Sequence, residues 1–303
     1  MKLEAVKKIT LIFLVGSPKV YTCTEAARVQ PDRDKAPSHD SLTRLLQREE
    51  ATSETLWKEA EPFINKEGGI LVIDDSTLDK PYAQKMDLVG YHWSGKHHRV
   101  VKGINLVSMV WTDYRIYDKE EGLSKNDYFM EMIEMAHKRG FKPKCVGFDS
   151  WYSSLDNLKH IRNIGWIWLT RLISNRQVNP DNTGNRALSE TGIDETGTVV
   201  HLKGYGMIKV FKIVSKNGDI GYWATNALDM SILECLSLSE KTWGIEEYHH
   251  EIKQYCGIER CQSRSRQGQM NHIGFSIRAF LRLMIRSYDT GKGLFDLKYL
   301  SFV

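Results

Sequence analysis

The sequence predicts an α/β fold in which a mixed sheet is flanked by helices, with a β-rich insertion and a helical N-terminal region. Continuous apolar runs at residues 69–73 and 145–148 are typical of strands that are buried on both faces. Segments with helical spacing alternate with such runs up to residue 170, which indicates helices packed over a sheet. Clustered turn residues interrupt this alternation from residue 175.

These changes of pattern divide the chain of 303 residues into five segments. They are a helical N-terminal region (1–62), the first part of a core (63–174), a β-rich insertion (175–232), the second part of the core with two helices (233–290) and a tail (291–303).

Two short helices are predicted in the N-terminal region, at residues 24–29 and 38–46, and Ser38 is the expected N-cap of the second. The second helix carries His39 and Arg44. The pair fits a DNA-binding helix-turn-helix, and it fits an ordinary helical cap equally well.

The core is predicted to follow the order β-β-β-α-β-α-β. Its strands are expected at 69–73, 104–111, 114–117, 145–148 and 166–169, and its helices at 126–139 and 155–164. In the insertion, antiparallel strands are expected at 199–203, 207–214 and 221–225, with Asn217-Gly218 as a hairpin turn. The chain is predicted to be helical again from residue 238.

Composition describes an ordinary globular protein, with 41% hydrophobic and 26% charged residues. The net charge of +4 permits nucleic-acid binding without demonstrating it, because local clustering of charge governs phosphate affinity. Five cysteines without a CxxC pair argue against a zinc module or disulfide framework and favour a reducing, cytoplasmic location. The apolar stretch at residues 9–15 is too short to span a membrane, so we expect a buried first helix.

Acidic side chains follow two predicted strands and occupy a later helix. Asp74 and Asp75 come directly after the first strand, Asp149 follows the strand at 145–148, and Glu246 is helical. Taken singly, each fits a turn, an N-cap or a solvated helix face. Together, Asp75, Asp149 and Glu246 supply the hard oxygen donors of a Mg²⁺ site for phosphodiester cleavage, with Mn²⁺ as a possible substitute and Asp74 as the rival of Asp75.

Other side chains near these carboxylates suggest nucleic-acid contacts. The candidate DNA-binding residues are Lys253, Arg260, Arg264 and Arg266, together with Arg44 and His39 of the N-terminal region. A stripe of Arg278, Arg282 and Arg286 fits either a DNA-backbone contact or a solvated helix face. Four aromatic residues fit either base stacking or core packing, and these are Trp151, Tyr152, Trp243 and Tyr248. The adjacent His249 and His250 cannot share a helix face, which argues against zinc.

These motifs resemble the DDE transposases of bacterial insertion sequences, in the RNase H-like branch whose glutamate lies in a Trp-x-Ile-Glu helix after a β-strand insertion. The matching segments are 72–77, 148–152, 243–253, 257–264 and 271–274. The resemblance implies an RNase H-like core with Asp75, Asp149 and Glu246 as the catalytic triad. Asp75 is preferred to Asp74 because the family motif places the metal ligand just before a Ser or Thr.

The resemblance also implies cut-and-paste transposition, in which a homodimer binds terminal inverted repeats, cleaves them and transfers the ends into target DNA. The protein is then expected to be cytoplasmic and associated with the nucleoid. Lys253, seven residues after Glu246, would contact an end phosphate. Thr242 and Ser239 stand where many relatives have arginine and tyrosine, so the base-flipping and hairpin roles of those residues do not carry over. The alternatives are an inactive remnant that only binds DNA and an RNase H-like nuclease.

Overall fold

The computed structural model describes residues 3–17, 21–95, 97–110, 112–215 and 217–299. Trp111, which is predicted to end a strand, lies outside these ranges, as do residues 300–303 of the predicted tail. Within the described ranges, eleven strands form one mixed sheet that is flanked by helices, which confirms the predicted fold class.

The strands are numbered in chain order. They are β1 (Ile70–Asp79), β2 (Gly90–Ser94), β3 (Arg99–Met109), β4 (Asp113–Tyr117), β5 (Cys145–Phe148), β6 (Trp168–Leu172), β7 (Gln177–Asn179), β8 (Arg186–Ala187), β9 (Thr198–Leu202), β10 (Gly206–Val214) and β11 (Ile220–Thr225). Neighbours across the sheet follow the order β2-β3-β1-β5-β6-β11-β10-β9-β7-β8, and β4 also pairs with β3. Strands β1, β5 and β6 run parallel, whereas β3 runs antiparallel to β1.

Strand β1 is longer than its apolar run predicts. Its first residues pair in parallel with β5, and its pairing with β3 continues from Ile73 to Asp79. Asp74 and Asp75 therefore lie inside a strand, which corrects the prediction that they follow its end. The ladder continues because hydroxyl and β-branched side chains such as Thr77 fit a half-buried pleated surface.

Strand β2 is absent from the predicted order of elements. It pairs with the first half of β3, from Ser94 opposite Arg99 to Gly90 opposite Gly103. Its buried positions are His92 and Ser94, so no apolar run marks it in the sequence.

The insertion strands extend the same sheet. Strands β9, β10 and β11 form where the sequence predicts them, and Gly218 in the predicted turn has φ +90°. Strand β11 pairs with β6, from Tyr222 opposite Leu172 to Thr225 opposite Leu169. The hydrogen-bonded ladder is therefore continuous from the core into the insertion.

Helices cover both faces of the sheet. They are α1 (Leu3–Gly16), α2 (Cys23–Arg28), α3 (His39–Arg48), α4 (Ser53–Ala60), α5 (Lys125–Lys138), α6 (Leu155–Asn163), α7 (Ile232–Thr242), α8 (Gly244–Cys256), α9 (Arg266–Thr290) and α10 (Leu294–Tyr299). One apolar core includes side chains of α5 and α6, and a second includes side chains of α1, α3, α4, α8 and α9. Ser38 caps α3 as predicted, because its hydroxyl accepts from the Ser41 N–H.

A buried asparagine on α9 joins the N-terminal helices to the core. The Asn271 side chain is 1% exposed. Its Oδ1 accepts from the Ala51 N–H at 2.9 Å, and its Nδ2 donates to the Leu46 carbonyl at 2.7 Å and to the Glu49 carbonyl. These carbonyls end α3 and the N–H precedes α4, so the Asn271 side chain binds three polar backbone groups of the connection.

We expect Asn271→Ala to lower the free energy of unfolding by about 2 kcal/mol, since the Ala51 N–H and the Leu46 carbonyl each lose a partner worth about 1 kcal/mol, whereas the Glu49 carbonyl keeps its bond from Gln267. Urea unfolding followed by circular dichroism measures this loss. The matched control is Asn175→Ala at an exposed site, where a change within about 0.5 kcal/mol is expected. A loss below about 1 kcal/mol for Asn271→Ala would contradict the proposed anchoring.

Candidate active site

Asp74 and Asp75 point to opposite faces of the sheet because successive side chains alternate along a strand. Asp75 shares its face with Ile73, which packs in the core that includes α5. Asp74 is paired with Ser108 of β3. Ser108 faces α8, where His249 contacts it.

Three side chains hold the carboxylate of Asp75. Its Oδ1 accepts from the Tyr152 hydroxyl at 2.8 Å. Its Oδ2 accepts from Asn105 Nδ2 at 2.6 Å and from Lys125 Nζ at 2.7 Å. Burial opposes ionisation, but the charge of Lys125 and these hydrogen bonds outweigh it and lower the pKa of Asp75 below its ordinary value. Asp75 is therefore a fixed, ionised carboxylate.

Asp149 lies beside β1 because β5 is its parallel neighbour. Ile73 pairs with Phe148, and Asp149 is the next residue. Its Oδ1 accepts from the Trp151 N–H at 2.9 Å, so it caps a short 3₁₀ turn. Although its side chain is exposed, desolvation by nearby protein atoms and then the charge of Asp75 raise the pKa of Asp149 to about 6.

Asp74 experiences the charges of the other acidic residues most directly. Burial is the largest cause that raises the pKa of Asp74 well above its ordinary value. The next causes are the negative charges of three carboxylates, those of Asp75, Asp149 and Glu246. All four predicted acidic residues therefore share one electrostatic neighbourhood at the edge where β1 and β5 meet.

Helix α8 brings Glu246 to this neighbourhood. Glu246 is exposed near the start of the helix, and His249 and Lys253 follow it on the same face. His249, which is 4% exposed, lies 3.3 Å from the Ser108 hydroxyl, and desolvation lowers its pKa to about 3. Lys253 Nζ donates to the Thr77 carbonyl at 2.8 Å and lies 3.3 Å from Glu259. This face of α8 is thus fixed against β1 and β3.

The carboxylates do not form a ready-made metal cage. Among the described residues, no group of three or more His, Cys, Asp or Glu side chains is arranged to hold a metal ion. Asp75 is paired with Lys125 instead. The site therefore combines crowded negative charge with one internal cation.

The sequence does not predict two residues of this site, Asn105 and Lys125. Asn105 is a polar residue inside the predicted strand at 104–111, and that interruption of an apolar run could have marked it. Lys125 follows Ser124, which caps α5 in a capping box with Asp127. That motif predicts where the helix begins, but it does not reveal the long-range partner of Lys125.

The candidate DNA-binding residues differ in their surroundings. Arg44, His39, Arg260 and Arg264 are exposed, although His39 lies 3.1 Å from Asp40. Arg266 is paired with Asp118 and Glu121, and Lys253 is held as described above.

The arginine stripe on α9 is not a free basic surface. Arg278 is 7% exposed, and both it and Arg282 bind the carboxylate of Glu59 on α4. The prediction of a solvated or DNA-binding face is wrong for Arg278, because α9 packs against α4 there and the guanidinium serves as an internal partner. Arg286 remains exposed.

The four aromatic residues near the acidic site separate into two pairs. Tyr152 and Tyr248 are buried, whereas Trp151 and Trp243 are 63% and 64% exposed. No described helix is long and apolar enough to cross a membrane.

Comparison with known proteins gives a family and a fold. The family described as "Transposase DDE domain" matches residues 65–281. A cryo-EM structure of the piggyBac transposase synaptic complex with hairpin DNA aligns with 96% of this chain and 68% of that chain, at 12% identity and a TM-score of 0.54. The Drosophila P element transposase strand transfer complex aligns with 98% of this chain and 62% of that chain, at 10% identity and a TM-score of 0.29. No curated protein sequence matches significantly.

We expect Tyr152→Phe to lower the free energy of unfolding at pH 7 by about 2 kcal/mol, because the ionised Asp75 loses a charged hydrogen bond. The folded pKa of Asp75 is depressed, so its stabilising contribution is present above the unfolded pKa of about 3.9 and is lost as the pH falls through the lower, folded pKa. The difference between variant and wild type should therefore shrink below about pH 4.

Urea unfolding at a series of pH values measures this difference. Tyr82→Phe, at a site that is 94% exposed, serves as the control and should show no change at any pH. A Tyr152→Phe deficit that stays constant through the acid range would mean that the hydroxyl does not act through the Asp75 charge.

Proposed function

Because the chain belongs to the Transposase DDE domain family, we propose that it catalyses metal-dependent cleavage at the ends of a mobile DNA element and transfer of those ends into target DNA. The observation that carries this proposal is the parallel pairing of β1 with β5, which places Asp74 and Asp75 beside Asp149, while α8 brings the charge of Glu246 to bear on Asp74. Such crowding is costly in a protein without a cationic ligand, and it is useful in one that binds cations and phosphates.

We propose Asp75, Asp149 and Glu246 as the residues that hold Mg²⁺, with Mn²⁺ as a substitute. Their carboxylate oxygens are the donors that Mg²⁺ prefers. Asp149 and Glu246 are exposed and accessible to an ion. When bound, the cations would promote in-line phosphodiester displacement by favouring both the attacking and the leaving oxygen.

The protein's own contribution is to position these groups. Tyr152 and Asn105 orient Asp75, and the 3₁₀ turn after β5 orients Asp149. Glu246 approaches on α8, whose contacts through His249 and Lys253 fix the helix on the sheet. In the proposed reaction, water attacks the phosphodiester first and the released 3′-hydroxyl then attacks target DNA.

DNA binding is assigned to exposed basic residues and to the N-terminal helices. Arg44 and His39 lie on α3, and Arg260 and Arg264 lie between α8 and α9. Phosphate contacts release counterions, so affinity for DNA should fall steeply with salt. We propose a homodimer, because two element ends must be paired before transfer.

We expect Asp149→Asn and Glu246→Gln to reduce nicking of terminal-repeat DNA by at least about 10²-fold, because each removes a charged donor from the reacting centre. DNA affinity should change little in a mobility-shift assay. Glu247→Gln is the matched control, since this exposed neighbour on the same helix should retain wild-type nicking.

Two outcomes separate the candidate functions, and a third tests the assignment of Glu246. Binding without nicking by the wild-type protein identifies an inactive remnant. Nicking without preference for terminal repeats identifies a general nuclease. Wild-type nicking rates in Glu246→Gln would remove Glu246 from the site.

We expect Asp75→Asn to abolish nicking and Mn²⁺ binding together, because Asp75 is the proposed first ligand. Asp74→Asn should retain Mn²⁺ binding, since Asp75 and not Asp74 is the proposed ligand. Isothermal titration calorimetry with Mn²⁺ and a gel assay of nicking measure the two properties. If Asp74→Asn loses Mn²⁺ binding while Asp75→Asn keeps it, Asp74 is the first ligand.

A further inference from the structure

The strongest unassigned feature of the acidic site is the ammonium group of Lys125. Lys125 is the first residue of α5, and its Nζ lies 2.7 Å from Asp75 Oδ2. The two side chains are 18% and 17% exposed, so the pair is largely shielded from solvent. The charge of Lys125 also acts on Asp149, whose pKa it lowers against the effect of Asp75.

The helix does not explain this position. The N-terminus of a helix favours acidic side chains and disfavours cations, because the helix dipole is positive there. The capping box of Ser124 and Asp127 stabilises the start of α5 without Lys125. The ammonium is therefore held by the acidic site and not by its own helix.

We propose that Lys125 occupies a cation position of the acidic site, leaves Asp75 when a divalent ion binds there, and then binds the phosphate that is being cleaved. This inference rests on the proposed function, because it takes Asp75 as a metal ligand. It adds a catalytic residue that the family motifs do not include.

The contacts of Asp75 lead to an exchange when a divalent ion binds its Oδ2. Its Oδ1 already accepts from Tyr152, and its Oδ2 already accepts from Asn105 and Lys125. A divalent ion that binds Oδ2 must displace a donor, and the repulsion between cations selects Lys125 over the neutral Asn105. The flexible four-carbon stem of lysine permits that movement.

An exposed aromatic ring gives the displaced ammonium a place at the edge of the site. Lys125 Nζ lies 5.8 Å from the centre of the Trp151 ring, within the range of a cation–π contact. Trp151 is 63% exposed and lies within the 3₁₀ turn that Asp149 caps. An ammonium beside this ring would remain next to the carboxylates and face incoming DNA.

A purely structural ion pair leads to the opposite expectation. If Lys125 only fixed Asp75, its removal would loosen the carboxylate and weaken metal binding. If Lys125 competes with the metal, its removal strengthens metal binding and, at the same time, slows cleavage. The two roles can therefore be told apart by a measurement that involves no DNA.

The first test compares Mn²⁺ affinity in the full-length wild type, Lys125→Met and Lys125→Arg by isothermal titration calorimetry. We expect Lys125→Met to bind Mn²⁺ about tenfold more tightly, which corresponds to one modest ion pair. Lys125→Arg keeps the competing charge and should bind as the wild type does. Unchanged or weaker binding by Lys125→Met, or no Mn²⁺ binding by either protein, would overturn the proposal.

A second test uses the wild-type protein and does not depend on the folding of a variant. Acylation of individual lysines is followed by mass spectrometry with and without Mn²⁺. We expect Mn²⁺ to increase the reactivity of Lys125 several-fold, because the ammonium leaves its partner. Lys138, which is exposed at the other end of α5, is the control and should not change. Protection of Lys125, or unchanged reactivity, would refute the exchange.

A third measurement separates this inference from the proposed function. At saturating Mn²⁺, Lys125→Met should nick terminal-repeat DNA about 10²-fold more slowly through kcat, and Lys125→Arg should restore most of the rate. If the wild type does not nick DNA but Lys125→Met binds Mn²⁺ more tightly, the exchange stands and the proposed function fails. If the wild type nicks DNA and Lys125→Met does so equally fast, the catalytic role of Lys125 fails alone.

Discussion

Repulsion between like charges is the constraint on which the acidic edge of this sheet depends. Four carboxylates influence one another there, and two of them, Asp74 and Asp149, have raised pKa values as a result of burial and neighbouring charge. Asp75 instead has a lowered pKa, because Lys125 supplies a positive charge beside it. Charges a few ångströms apart interact by several kcal/mol away from bulk water. The rest of the fold must therefore hold together an arrangement that is unfavourable by itself.

The fold opposes this repulsion because neighbouring strands and helices hold the elements that carry the acidic residues. Strand β1 pairs with β5 up to Ile73 and with β3 from Ile73 to Asp79, so the β3 ladder holds Asp74 and Asp75 in place. Helix α8 is held on the sheet through His249 and Lys253. It also packs against α9, which in turn contacts α1, α3 and α4. The N-terminal helices thus contribute to the same core that supports Glu246. Their stability and the geometry of the acidic site are connected through α9.

The sequence predicts the type of fold and the position of most central elements, because apolar runs and helical spacing report burial directly. The sequence does not predict the features that depend on contacts between residues far apart in the chain. Strand β2 has no apolar run, and β1 continues through polar residues because β3 pairs with them. The partners Lys125 and Asn105 lie 50 and 30 residues from Asp75, so spacing along the chain cannot reveal them. The sequence predicts Arg278 on the surface, whereas in the structure α4 packs over it and Glu59 is its partner.

The same limit applies to the choice between Asp74 and Asp75. The two residues are adjacent, so a sequence motif identifies the Asp74-Asp75 pair but does not show which of the two binds the metal. In the structure, the pleat of β1 places their carboxyl groups on opposite faces of the strand. Asp75 meets three donors and is held ionised, while Asp74 is buried among negative charges and resists ionisation. A ligand for Mg²⁺ must be both ionised and oriented. We therefore propose Asp75 as the first ligand, because three donors orient its carboxylate, and the cation already beside it lies where a metal ion would bind.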